Sequence, residues 1–151
     1  HGQEVVLRSE RRPCDPAAAV FIGDSMGELV LFYAASDVAF VGGTLVPVGG
    51  HNVLEPAALG IPAVTGPHLH NFEEISRKLI AAGACRRVDD EGELAAMVID
   101  LLGDADLRFA MGENGRRVVA ENRGALQAVM DLVERHLPAG AAAPAAADNG
   151  K

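Results

Sequence analysis

The sequence predicts an α/β fold, a Rossmann-like parallel sheet flanked by helices. Three observations carry this. Short apolar runs, several of them β-branched, alternate with longer helical patterns along residues 4–137. Three of these runs end in glycine-containing turns, after Ile22, Val41 and Thr65. Hydrophobic residues make up 49% of the 151-residue chain against 23% charged, enough apolar surface for one domain with its own core.

The elements follow in order. Residues 4–8 (EVVLR) read as a strand, and 9–18 as a polar, proline-containing loop. Residues 19–22 (AVFI) read as a second, buried strand ended by Gly23 and Asp24. Asp24 or Ser25 can cap a helix over 27–36, with Glu28 in its first turn. Residues 37–41 (DVAFV) are a third strand. A glycine-rich loop follows, with pairs Gly42-Gly43 and Gly49-Gly50, then a short helix over 52–59 that Gly60 and Pro62 stop. Residues 62–65 are the fourth strand.

The pattern over 72–82 is an amphipathic helix, with Ile75, Leu79 and Ile80 on one face, Asn71 as its cap and Gly83 as its end. Residues 85–88 are the fifth strand, and 91–102 a helix. Asp104 opens another helix over 105–121, and a last one covers 123–137. The Leu/Val/Met stripes of 94–102 and 129–137 read as core. The Ala/Pro/Gly-rich tail 138–151 has nothing to bury and reads as disordered, which leaves one domain over 1–137. The chain opens at HGQEVVLRS without an initiator Met and reads as a piece of something longer.

Several function classes are disfavoured. A formal charge of −8 argues against nucleic acid, whose phosphates need clustered cations; Arg8, Arg11 and Arg12 are interrupted by Glu10. No apolar run approaches the ~20 residues of a membrane span. Cys14 and Cys85 have no cysteine at metal-ligand spacing and read as two reduced thiols of a cytosolic protein, with one disulfide as the alternative. No His/Asp/Glu group suggests a metal, and there is no nucleophile elbow. A dinucleotide fold is disfavoured because no G-x-G-x-x-G follows the first strand.

The candidate site is the stretch 40–67, FVGGTLVPVGGHNVLEPAALGIPAVTGP. Glycines let a backbone approach a ligand closely, and free amides at a helix start favour an anion. Gly49, Gly50, His51 and Asn52 are therefore candidates to cradle a nucleotide phosphate, with Glu55 one turn further in to hold hydroxyl groups. Ligands of parallel sheets bind at the carboxyl ends of the strands, so Asp24, the glycine loop and Gly66-Pro67-His68 should share one rim.

Three ordered blocks in GDSMGELVLFYAASDVAFVGGTLVPVGGHNVLEPAALGIPAVTGPHLHNFEEI closely resemble the C-terminal domain of bacterial 3-deoxy-D-manno-octulosonic acid (Kdo) transferases. The likeness spans roughly residues 5–137, and the later NRGALQ also fits. It implies the C-terminal, donor-nucleotide half of a GT-B glycosyltransferase that moves Kdo from CMP-Kdo to the lipid A precursor in lipopolysaccharide synthesis. It further implies that the acceptor half lies in an N-terminal domain, with the catalytic Glu base and the membrane-facing surface. The parent would sit at the cytoplasmic face of the inner membrane. This piece would be soluble, would lack the domain's first strand, and would be inactive alone, with no catalytic residue of its own and no metal or cofactor.

The resemblance also implies roles. Glu55 would accept hydrogen bonds from two ribose hydroxyls, as in the EPAALGIPAV pattern shared with GT-B donor domains. Gly42 and Gly43 would shape the turn or leave room for the sugar, and Thr44 would contact the Kdo carboxylate. Asp24, Ser25, Met26, Gly27 and Glu28 would line the base or ribose pocket; Ser25 stands where many members have Thr. Gly66, Pro67 and His68 would close the rim. Two alternatives remain open: the matching half of a UDP-sugar transferase or epimerase, and a non-catalytic nucleotide-binding domain.

Overall fold

The computed structural model describes residues 4–13 and 18–136, with the backbone alone over 124–136. Cys14, the tail 138–151 and the side chains of the 129–137 stripe lie outside the described residues. The chain divides into two compact units, 1–119 and 120–151, and every candidate site residue lies in the first.

Among the described residues five strands and five helices follow in this order: β1 (Val5–Leu7), a 3-10 turn (Arg8–Glu10), β2 (Val20–Ile22), α1 (Leu29–Ala34), β3 (Ala39–Phe40), α2 (Leu54–Leu59), β4 (Ala63–Thr65), α3 (Glu73–Ala81), β5 (Cys85–Arg87), α4 (Glu91–Gly103) and α5 (Ala105–His136). Every pairing is parallel. The strands form two sheets, β1–β2 and β3–β4–β5, with Ala63 of β4 opposite Ala39 on one side and Cys85 on the other.

The core belongs to the three-stranded sheet. Successive residues of a strand face opposite ways, and β4 shows it. Ala63 joins a cluster with Val41, Val53, Leu79 and Cys85, while Val64 joins Val88, Leu101 and Met111 on the other face. Helix α3 contributes Leu79, flanked by Ile75 and Ile80, the apolar face expected of it. The predicted helix stops also hold. Gly60 (φ 73°) and Gly83 (φ 72°) take the left-handed conformation that other residues adopt at a cost.

Four expectations are corrected. The run 19–22 is not buried: Val20, Phe21 and Ile22 are 38–43% exposed, because neither core cluster reaches β2. Asp24 and Ser25 do not cap α1, and Asn71 does not cap α3; neither helix has a side-chain cap. The two terminal helices are one, since α5 runs on through Asn122 and Arg123. In the α4 stripe Leu101 is buried, but Ile99 and Leu102 are exposed.

One packing contact positions the site. In α5, a Cβ on Gly112 would overlap the carbonyl of Gly60, and one on Gly115 would press on Ala57. Bare glycine backbone therefore lets α5 lie directly against α2, the helix that carries Glu55.

Candidate functional site

The loop between β3 and α2 is built on left-handed glycines, Gly43 (φ 70°), Gly49 (φ 101°) and Gly50 (φ 73°). It closes on itself where the Gly50 N–H donates to the Gly43 carbonyl at 2.9 Å. Its anchor is Thr44, fully buried, whose hydroxyl donates to the Val41 carbonyl and accepts from the Gly66 N–H, both at 2.7 Å. The His68 N–H donates to the Thr44 carbonyl at 2.9 Å, and the Asn71 N–H to the Gly49 carbonyl at 3.4 Å. The loop is thus fastened to the segment that follows β4.

This changes three sequence expectations. Thr44 does not face a ligand, since its hydroxyl is consumed inside the fold. Gly66 is bare because a Cβ there would overlap the Thr44 carbonyl, so its role is the fastening. The Gly50 amide is already bonded and is not a phosphate donor. The amides of His51 and Asn52 make no hydrogen bond among the described residues.

Asn52 organises the start of α2. Its Oδ1 accepts from the Leu54 N–H at 3.0 Å, and its Nδ2 donates to Glu55 Oε1 at 3.1 Å. Glu55 is half-buried and, among the described residues, is the one charged residue lining a cleft of about 490 Å³. Gly23, Ser25, Met26 and Gly27 line it together with Leu29, Val30 and Phe32 of α1. Met26 is almost wholly exposed at the mouth. A carboxylate over an otherwise apolar cleft suits a ligand with a flat or apolar body and vicinal hydroxyls.

Asp24 and Glu28 do not line this cleft; they hold its wall. Asp24 accepts from the Ser9 N–H at 2.9 Å and the Ser9 hydroxyl at 2.6 Å. Glu28 accepts from Arg8 Nη2 at 2.8 Å and from the Ser25 hydroxyl. The Ser9 hydroxyl, chiefly, holds the Asp24 carboxyl below its usual range; for Glu28 the Ser25 hydroxyl does so first and Arg8 second. Burial pushes the Tyr33 phenol up, with a smaller push from the Glu55 charge. Arg8 and Ser9 are the positioning residues that sequence reasoning missed. They lie 20 and 15 positions from their partners, beyond any local pattern.

The expected single rim is divided. Pro67 and His68 line a separate cavity of about 520 Å³, together with His70, Ser76, Arg77 and Arg87. Among the described residues no group of His, Cys, Asp or Glu could hold a metal ion, and no helix is long and apolar enough to cross a membrane. Cys85 is buried, which pushes its thiol up to about 11.

Residues 15–118 match the family described as glycosyl transferases group 1. The chain is 42% identical over 135 residues to a 3-deoxy-D-manno-octulosonic acid transferase of Haemophilus influenzae, covering 89% of this chain and 32% of that protein. It is 40% identical over 119 residues to one of Bordetella pertussis, covering 79% and 28%. The chain thus spans at most 32% of the length of these two curated relatives. Among solved structures, the C-terminal CMP-Kdo binding domain of WaaA from Acinetobacter baumannii superposes with a TM-score of 0.74 at 34% identity, covering 78% of this chain and 61% of that one. The spinosyn rhamnosyltransferase SpnG, at 21% identity and a TM-score of 0.50 over 85% of this chain and 36% of its own, shares the fold alone.

Proposed function

The chain belongs to the glycosyl transferases group 1 family and has the fold of a GT-B C-terminal domain, and from that premise we propose that it supplies the CMP-Kdo-binding half of a Kdo transferase. The reading rests on the likeness to the Acinetobacter CMP-Kdo binding domain. The parent enzyme transfers Kdo from CMP-Kdo to the lipid A precursor of lipopolysaccharide, at the cytoplasmic face of the inner membrane.

The residues then divide the work. Glu55, with one oxygen steadied by Asn52, accepts hydrogen bonds from two ribose hydroxyls. The apolar walls at Met26, Leu29 and Val30 hold the cytosine ring out of water. The His51 and Asn52 amides meet the phosphate. In the transfer, an acceptor hydroxyl attacks the anomeric C2 of Kdo, the C2–O bond to the phosphate breaks, and the hydroxyl proton passes to a base. Negative charge grows on the departing CMP, and fixed N–H donors stabilise it there. The base, the acceptor surface and membrane association belong to the remainder of the parent. The isolated domain binds donor and does not turn over.

Titration of the 151-residue domain with CMP and with UDP, followed by backbone amide shifts, tests this. CMP should shift Ser25–Gly27 and His51–Glu55 more than UDP does. Glu55→Gln should weaken CMP at least about tenfold, the loss of charge-assisted hydrogen bonds, with an unchanged melting temperature. A stronger response to UDP would point to a UDP-sugar transferase or epimerase. Silence toward both would return the domain to a non-catalytic role.

A further inference from the structure

The cavity beyond β4 has no part in holding the nucleotide as described above, yet several polar groups join Leu69 and Ile80 in lining it. It lies between the segment after β4, helix α3 and the end of β5. Arg77, Arg87, His68 and His70 line it, and among the described residues Glu73 is the only carboxylate that does. Arg87 pairs with Asp89 at 3.0 Å. Arg77 makes no side-chain hydrogen bond or ion pair among the described residues. Ser76, one residue before it, is 1% exposed and lines the same cavity, and its hydroxyl has no hydrogen-bond partner among the described residues. Buried polar groups ordinarily have one.

The cavity adjoins the glycine loop. The His70 ring packs on Gly49, where a Cβ would stand 2.7 Å from Nε2, and the His68 carbonyl would stand 3.1 Å from a Cβ on Gly50. In a nucleotide-activated 2-keto sugar acid, the anomeric carbon carries both the phosphate ester and the carboxylate. Two anionic groups are therefore one carbon apart, and a site for such a donor needs two adjacent seats. The glycine loop and the start of α2 offer one. Thr44, the sequence-level candidate for the other, is sealed inside the fold.

We propose that the cavity seats the carboxylate of the donor sugar acid, with the Arg77 guanidinium as its main partner and the Ser76 hydroxyl and a His70 ring N–H completing the contacts. The guanidinium fork matches a carboxylate in geometry and charge. The proposal rests on the donor reading given above and names the part of that site which reads the sugar rather than the nucleotide.

The test compares CMP-Kdo with CMP, by calorimetry, on the 151-residue domain and on Arg77→Gln and Ser76→Ala. Wild type should bind CMP-Kdo more tightly than CMP. Arg77→Gln should keep its CMP affinity within about twofold and lose about tenfold or more toward CMP-Kdo, as removal of a charge-assisted hydrogen bond does. Ser76→Ala should lose a smaller factor, again toward CMP-Kdo only. If Arg77→Gln binds both ligands as wild type does, the donor reading stands and the carboxylate seat is refuted. An equal loss toward both ligands also refutes it, because the seat must discriminate between them. If wild type binds neither, the donor reading fails and this inference fails with it.

Discussion

The two sheets of this domain are held in different ways. In the β3–β4–β5 sheet the central strand is buried at all three residues, because helices cover both of its faces. In the β1–β2 sheet all three residues of β2 are exposed, and only Val6 of β1 is buried. The first is a packed α/β core. The second is joined to the turn before α1 by polar contacts of the segment after β1, Arg8 to Glu28 and Ser9 to Asp24, and β2 packs one ring, Phe21, on Phe32 of α1. Partly exposed ion pairs contribute little, so stability should be unevenly spread over the domain. The Glu55 cleft draws one wall from the loosely held region and its carboxylate from the packed one.

The largest test of this contrast is a pair of truncations. Leu79→Ala, at a fully buried position, should cost about 2–5 kcal/mol in denaturant unfolding. Ile22→Ala should cost less, about 1–1.5 kcal/mol, because 43% of the residue is already exposed. Equal costs would erase the distinction. Amide hydrogen exchange should then rank the strands, with β1 and β2 exchanging well before β4 and β5.

Acid should sharpen the contrast. The folded Asp24 and Glu28 carboxyls are held below their unfolded values. What they contribute is therefore complete at neutral pH and is lost as pH falls below the ordinary carboxylate range of about 4, through the lowered folded values. The Ser9 amide resonance should move in that window while those of β4 stay in place; joint movement would mean global unfolding instead. The smallest effect should be at Cys85. With its thiol pushed up to about 11 by burial, it should resist iodoacetamide at pH 7 in the folded domain, as peptide mass mapping would check.

The packed region was also the legible one. Glycine stops at Gly60 and Gly83, the face formed by Ile75, Leu79 and Ile80, and the apolar run of β4 are local signals that agree with the fold. The run AVFI carries the same local signal as β4, but burial depends on what covers a strand, and no local pattern encodes that. The helix break at 122–123 failed for a related reason: polar residues and one glycine weaken a helix by about 1 kcal/mol at most per residue, which its neighbours can offset. Glu55 could be singled out because an acid just inside a glycine-rich turn is a local arrangement, and the structure places it on a cleft. Thr44 was misplaced because its two partners lie across the loop, at Val41 and Gly66. Gly112 and Gly115, three apart within a helical stretch, were a readable sign of close helix approach that went unused.

The Thr44 hydroxyl ties the glycine loop to the turn after β4, and the same loop leads directly into Asn52 and Glu55. The span from the Glu55 carboxylate to the cavity beyond β4 is thereby fixed by short internal bonds. A donor that bridges the two places meets a ruler. One phosphate between nucleoside and sugar sets one length and two phosphates set another, so selection against diphosphate donors can follow from spacing alone, without any group that repels the second phosphate.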